Sequence, residues 1–304
     1  MSGRRTRGAA SALRHTRVLR SVLGLGMLAA SVLPPNVAAA GDPHQVPKID
    51  GQIRIDGVLD EPAWQDALVL EIRVEVEPGE NIPAPVRTQI SICFSDRHVF
   101  AAFRAFDPDP SAIRARYSDR DKMFDDDWVA LVLDTFNDER RSFDFFVNPL
   151  GIQGDSVETP TGGGTEWDAI WDSAGRVGAD GYTVEIAIPF SSLRFQPTDG
   201  EQTWGFDAVR NYPRLVSHRI GLFARDRSNN CYLCQADKIR GFAGASPGRA
   251  LEINPTLSAI YSEERDPFPG GDFQETDSSI EPGLTAQWGV TPNLNLSATI
   301  NPDF

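Results

Sequence analysis

Arg120 to Asp155 read RDKMFDDDWVALVLDTFNDERRSFDFFVNPLGIQGD, and the pattern of this stretch decides the fold class. Val129, Leu131 and Leu133 alternate along one segment, and Phe143, Phe145 and Val147 along the next. A side-chain period of two is that of a half-buried β-strand. Asn137-Asp138 supplies a turn between the two segments, which makes them a hairpin. Asp125, Asp126 and Asp127 stand just before the first strand and Asp134 closes it. Carboxylates thus gather at a strand mouth, and loops at the rim of a rigid β scaffold are where binding sites concentrate.

Outward from this hairpin, turn signals recur about every ten residues: Pro78-Gly79, Asp107-Pro-Asp-Pro110, Asn148-Pro-Leu-Gly151, Gly162-Gly-Gly164, Asp180-Gly181 and Asp199-Gly200. Between them the pattern predicts short strands at 88–94, 99–106, 128–134, 142–147, 176–177, 183–188 and 204–212. Even spacing of short strands favours an all-β sandwich over βαβ units. Helix is expected only near 61–67 and 190–193, and the glycine run at 161–165 reads as a flexible connection. Trp64, following Asp60-Glu-Pro, suits a short capped helix whose indole seals the end of the sandwich, and Trp204 is also expected to be buried.

Four motifs in order carry a family resemblance: Asp56-Gly-Val-Leu-Asp-Glu-Pro-Ala-Trp64, the acidic stretch ending on Asp134, Phe145-Phe-Val-Asn148, and Gly181-Tyr-Thr-Val-Glu185 running into Ile188-Pro-Phe190. Together they resemble the carbohydrate-binding module family 9-like domain, in the version fused to an outer-membrane-type β-barrel in a bacterial family of uncharacterised function. The resemblance spans roughly 46–244, and Asn301-Pro-Asp-Phe304 is typical of that family's barrel start. It implies a β-sandwich at 41–247 followed by the first strands of an antiparallel membrane-type barrel at 248–304, truncated. It also implies a link to glycans and to carbohydrate catabolism; hydrolysis of O-glycosyl bonds enters only by association. In the sugar-binding members a tryptophan stands where this chain has Phe124, and an arginine where it has Phe146.

The first 40 residues hold six arginines and no acid, then the apolar run Val22 to Leu33 and Ala38-Ala39-Ala40. This is the pattern of a signal peptide with an A-x-A cleavage site, so export is expected. Losing those arginines takes the formal net charge from −14 to −20. Such a surface repels phosphate backbones and excludes nucleic acid as a partner. It suits cations, or neutral small molecules such as sugars. Of the three cysteines, Cys231 and Cys234 are close enough to form a local disulfide in an oxidising compartment, and Cys93 reads as a small buried hydrophobe.

From Leu251 onward apolar and polar residues alternate in three runs of about the length of tilted transmembrane strands. Together with the resemblance, this places the C-terminal strands in an outer membrane, with the preceding domain periplasmic or surface-exposed. A soluble hairpin would show the same period.

Sugars are bound by flat aromatic rings stacked on the pyranose, with charged groups fixing the hydroxyls. The candidate platform is Phe124, Trp167 and Trp171 beside Arg120, Asp125, Asp126 and Asp168. Packing of both tryptophans onto the sheet is the alternative reading. Calcium takes six to eight oxygens from irregular loops, and Asp121, Asp127 and Asp138 are its candidate ligands. The sequence contains no H-E-x-x-H, G-x-S-x-G or G-x-x-x-x-G-K-[ST] motif. Catalysis has no motif behind it.

Overall fold

A computed structural model describes residues 42–159, 164, 167–247, 251–265, 269–291 and 294–301. The expected signal peptide and most of the glycine run lie outside the described residues. In chain order the strands are β1 (His44–Gln45), β2 (Leu68–Glu77), β3 (Ile82–Phe94), β4 (His98–Phe106), β5 (Trp128–Asp134), β6 (Ser142–Val147), β7 (Gln153–Glu158), β8 (Asp172–Gly178), β9 (Gly181–Pro189), β10 (Gln202–Pro213), β11 (Ser217–Gly221), β12 (Asp237–Gly241), β13 (Leu251–Arg265), β14 (Phe273–Thr291) and β15 (Leu294–Ile300).

The first twelve form a β-sandwich whose layers are continuous through one corner. One layer is β7-β6-β5-β10 and the other β2-β3-β4-β9-β8. Strand β10 is the hub. It pairs with β5 along one edge, while its other edge is shared by β12 at its start and β11 at its end. Strand β11 then pairs with β2, with a register shift between Arg219 and Ile220. An irregularity of this kind increases local twist and lets strands pass from one layer to the other.

The core follows from strand parity. Val129, Leu131 and Leu133, then Phe143, Phe145 and Val147, face Val99, Ala101 and Phe103 and Val184, Ile186 and Ile188 within one buried cluster. Trp204 stacks on Phe242 with ring centroids 3.9 Å apart, closing that core. Strands β5 and β6 have the expected ends, but their expected solvated face is buried as well. Met123, Trp128, Ala130 and Val209 form a second cluster there, because the chain before β5 folds over it. On the other layer the segment from Ile49 to Ala67 covers Cys93, Phe100, Ala102 and Ala187.

Strands β1, β2, β7, β11 and β12 had no counterpart in the expected pattern. Strand β2 does alternate, with Glu71, Arg73, Glu75 and Glu77 between Ile72, Val74 and Val76, and is missed by the expected pattern all the same, whereas β7 is too polar to stand out. The helix expected at 61–67 is one 3-10 turn, Pro62–Gln65.

Strands β13, β14 and β15 form a separate antiparallel sheet. Its register aligns Leu251 with Trp288 and Leu296, and Pro255 with Leu284 and Ile300. Leu257, Ile280 and Ile300 are 73%, 73% and 66% exposed, so one face of this sheet is openly apolar.

Candidate functional site

The family-like motifs are structural anchors. Glu185 on β9 is fully buried and accepts hydrogen bonds from the backbone N–H of Asp56 (2.9 Å) and Gly57 (2.8 Å) and from Trp64 Nε1 (3.0 Å). Gly57 has φ +81°, and a Cβ there would lie 3.1 Å from Gly175 C, so only glycine fits. Asn148, just after β6, donates to Asp126 Oδ2 and to the Arg116 carbonyl and accepts from the N–H of Leu150 and Ile152.

The carboxylates at the strand mouth divide by role. Asp126 is buried and accepts from Arg116 N and Nε as well as from Asn148. Asp127 is buried and accepts from Arg114 N and Arg214 Nη1, both at 2.8 Å. Arg214 also pairs with Asp107, which lies against the fully buried Arg210. Asp134 accepts from the N–H groups of Asp138 and Glu139 and shapes the β5–β6 turn. Asp125 alone of the triplet is solvated.

The expected stacking platform is not an open surface. Trp171 is 5% exposed, and its Nε1 donates to Asp155 Oδ2 at 3.1 Å. Trp167 packs on Phe143 and Phe145. Arg120 bridges this interior: it donates to Asp155 (2.5 Å), to the Ala169 carbonyl (2.8 Å) and to Gln153 Oε1 (2.9 Å), and it pairs with Asp168 at 3.4 Å. Of the predicted set Phe124 is the exposed ring, sitting edge-on to Phe146 and Trp128, and Trp167 is half-buried. Trp171 is drawn inward because the buried Asp155 takes its N–H as a donor, and Trp167 because the core takes part of its area.

Nor does the structure gather Asp121, Asp127 and Asp138. Asp127 belongs to Arg214, Asp138 accepts from Arg140 N in the turn, and Asp121 accepts from Asp155 N. Among the described residues, the acids that do converge are Asp121, Asp155 and Asp168. Burial, ahead of its acidic neighbours, lifts the Asp121 carboxyl to about 6. The trio does not fit calcium as it stands, because the Arg120 guanidinium sits on oxygens of Asp155 and Asp168 and leaves too few for an ion that takes six to eight.

A cleft of about 140 Å³ opens instead on the outer face of β5, β6 and β10. Its floor is Trp128, Ala130, Val132, Phe146 and Val209, and its polar groups are Asp144, Glu158, Arg219, Arg225 and Tyr232. The β11–β12 connection, which contains the Cys231–Cys234 disulfide, brings Tyr232 over the sheet. Tyr232 donates to Asp207 Oδ2 at 2.7 Å, and Arg225 stacks on its ring at 4.3 Å while pairing with Asp207 at 3.4 Å. Asp144 is 3% exposed; Ser156 Oγ reaches its Oδ2 at 3.5 Å, and its Oδ1 has no hydrogen-bond partner. Burial chiefly, then the charge of Glu158, pushes the Asp144 carboxyl up to about 7 against the nearby Ser142 and Ser156 hydroxyls. Burial likewise raises Glu158, with Arg225 and Arg219 opposing it. An aspartate between Phe143 and Phe145 was the one sequence signal for this cleft; nothing local marked Arg219, Arg225 or Tyr232.

No family model matches the sequence, and no curated protein matches it. Among solved structures, a carbohydrate binding module family 9 domain from Caldicellulosiruptor kristjanssonii in complex with cellotriose is 17% identical, with a TM-score of 0.46 over 65% of this chain and 92% of its own. The same organism's family 9 module in complex with glucose is 16% identical, with a TM-score of 0.46 over 64% and 93%.

Proposed function

We propose that the chain is an exported, carbohydrate-binding-like protein of the outer membrane that holds a saccharide in the outer-face cleft and serves carbohydrate catabolism as a binder. The observation that carries this reading is the cleft itself. Trp128, Phe146 and Tyr232 give it aromatic walls, and Asp144 Oδ1, buried and unpartnered, gives it a polar atom for a hydroxyl to meet. Apolar walls with a few convergent polar groups are the usual make-up of a small-ligand site. The test is calorimetric titration of the chain with mono- and oligosaccharides, beside the variant Phe146→Asp, which places a charge on the cleft floor. Binding by the unmutated chain and loss in the variant support the site. Equal binding by both moves it elsewhere.

A second reading, that the sandwich is a gate or scaffold for an outer-membrane channel, is favoured by the exposed apolar face of β13–β15. In that case the chain binds lipid vesicles but no saccharide. A Leu257→Arg substitution on the apolar face then weakens vesicle binding by about 2 to 4 kcal/mol if the position sits at the bilayer midplane.

A further inference from the structure

On the outer face of the second layer, a polar row crosses the strands just beyond the cover of the segment from Ile49 to Ala67. Register sets Arg104 of β4 opposite Thr183 of β9, and Thr183 opposite Arg176 of β8. The two arginines therefore share one face, two strands and roughly 10 Å apart at their Cα atoms. The neighbouring row, Ala102 and Glu185, already lies under the covering segment. Glu71 and Gln89 continue the arginine row on the far side of Arg104, but Glu71 is taken by Arg87 and by Gln89 itself. Among the described residues no carboxylate pairs with Arg104 or Arg176, and both are exposed.

Both arginines line a pocket of about 340 Å³. Val58 and Leu59 from the covering segment and Phe106 from the end of β4 give it apolar walls. Gly178 and Gly181 pair at one end and put no side chain into it. The Thr183 hydroxyl on its floor donates to the Gly57 carbonyl at 2.6 Å. Asp180 is the one acid of the lining. Asp56, next to Gly57, is engaged by Arg54 and by the N–H of Val58. Two guanidiniums thus face one carboxylate, and a positive charge is left over in a chain whose formal net charge is −14.

A guanidinium fork matches the paired oxygens of a carboxylate. It matches phosphate as well, but near neutral pH phosphate brings a second negative charge, which Asp180 and the acidic surface oppose. Apolar walls beside a few charged groups suit a ring that carries the anion. We infer that this pocket is a second ligand site, on the layer opposite the outer-face cleft, and that it takes a uronate. The carboxylate lies between Arg104 and Arg176, and the pyranose lies against Leu59 and Phe106. The sugar part of this class rests on the saccharide reading above; the carboxylate part does not.

The experiment is calorimetric titration of the full chain with glucuronate, glucose, cyclohexanecarboxylate and inorganic phosphate, at about 0.05 M and about 0.5 M salt. Glucuronate is expected to bind about tenfold or more tightly than glucose at the lower salt, which corresponds to about 1.4 kcal/mol. That advantage should shrink at the higher salt and vanish in Arg104→Gln and in Arg176→Gln, while glucose affinity stays the same in both. Phe146→Asp, on the other layer, should remove glucose binding and leave glucuronate binding at the pocket. Glucuronate binding that depends on both arginines, with no glucose binding by any variant, supports this site and removes the cleft. Equal affinity for glucuronate and glucose, or an advantage that survives both arginine substitutions, overturns the inference and leaves the saccharide reading standing. Phosphate binding tighter than glucuronate overturns the carboxylate class. Cyclohexanecarboxylate as tight as glucuronate, with no glucose binding, overturns the sugar class together with the saccharide reading. Silence for all four probes overturns both.

Discussion

The indole N–H of Trp64 donates to Glu185 Oε1 at 3.0 Å, across 121 residues of chain. This bond ties the N-terminal wrap to the second sheet layer, and Glu185 Oε2 holds the backbone of Asp56 and Gly57 beside it. Trp64→Ala is expected to cost about 3 to 5 kcal/mol, as truncation of a buried aromatic does. Glu185→Gln puts an amide where only acceptors fit and should cost about 2 kcal/mol. Urea denaturation measures both, and a midpoint unchanged in either variant removes that residue from the anchor.

Arg120 and Asp155 make the corresponding bond inside the first layer. Arg120→Ala leaves a buried carboxylate without its cation and should destabilise by about 3 to 5 kcal/mol. Trp171→Ala should also lower the melting temperature while leaving ligand affinity unchanged, since the ring is packed and not presented. A variant that melts normally but loses affinity would restore the open platform.

Because Arg120 occupies oxygens of Asp155 and Asp168 that an ion would need, millimolar calcium and a chelator should give the same melting temperature. A ligand that binds only the native state raises it by mass action. A clear calcium-dependent rise therefore means that Arg120 gives way to the ion.

Asp144 makes stability depend on pH. Its folded carboxyl sits near 7 against an ordinary 3.8, so the folded chain holds the extra proton between those values. The folded state then binds more protons than the unfolded, and this contribution is present in acid and lost as pH rises through the window. Relative to Asp144→Asn, the unmutated chain should lose stability between about pH 4 and pH 7, by an amount on the order of a few kcal/mol. Parallel stability curves for the two proteins would show that Asp144 titrates normally.

Cys231 and Cys234 are joined, and Cys93 is free and buried, with burial pushing its thiol up to about 12. Alkylation without reductant should label nothing in the native chain and Cys93 alone after unfolding. Mass spectrometry reads the outcome, and labelling of all three cysteines would refute the pairing in exported protein.

The sequence by itself determined the elements whose two faces differ. Strands β5 and β6 run from Trp128 to Asp134 and from Ser142 to Val147 as their alternation requires, and Trp64 and Trp204 are buried as large indoles next to turns tend to be. A local pattern suffices there, because burying one face of a strand is a property of consecutive residues. It could not say what covers the other face. The acids Asp126, Asp127 and Asp155 look alike in sequence as rim carboxylates, yet each is committed to an arginine or amide brought in from 10 to 87 residues away. A buried charge is stable only beside its partner. The tertiary structure therefore decided which carboxylates are structural, drew Trp171 inward to Asp155, and assembled the cleft from β5, β6, β7, β10 and the β11–β12 connection, which meet only when the sheet is built.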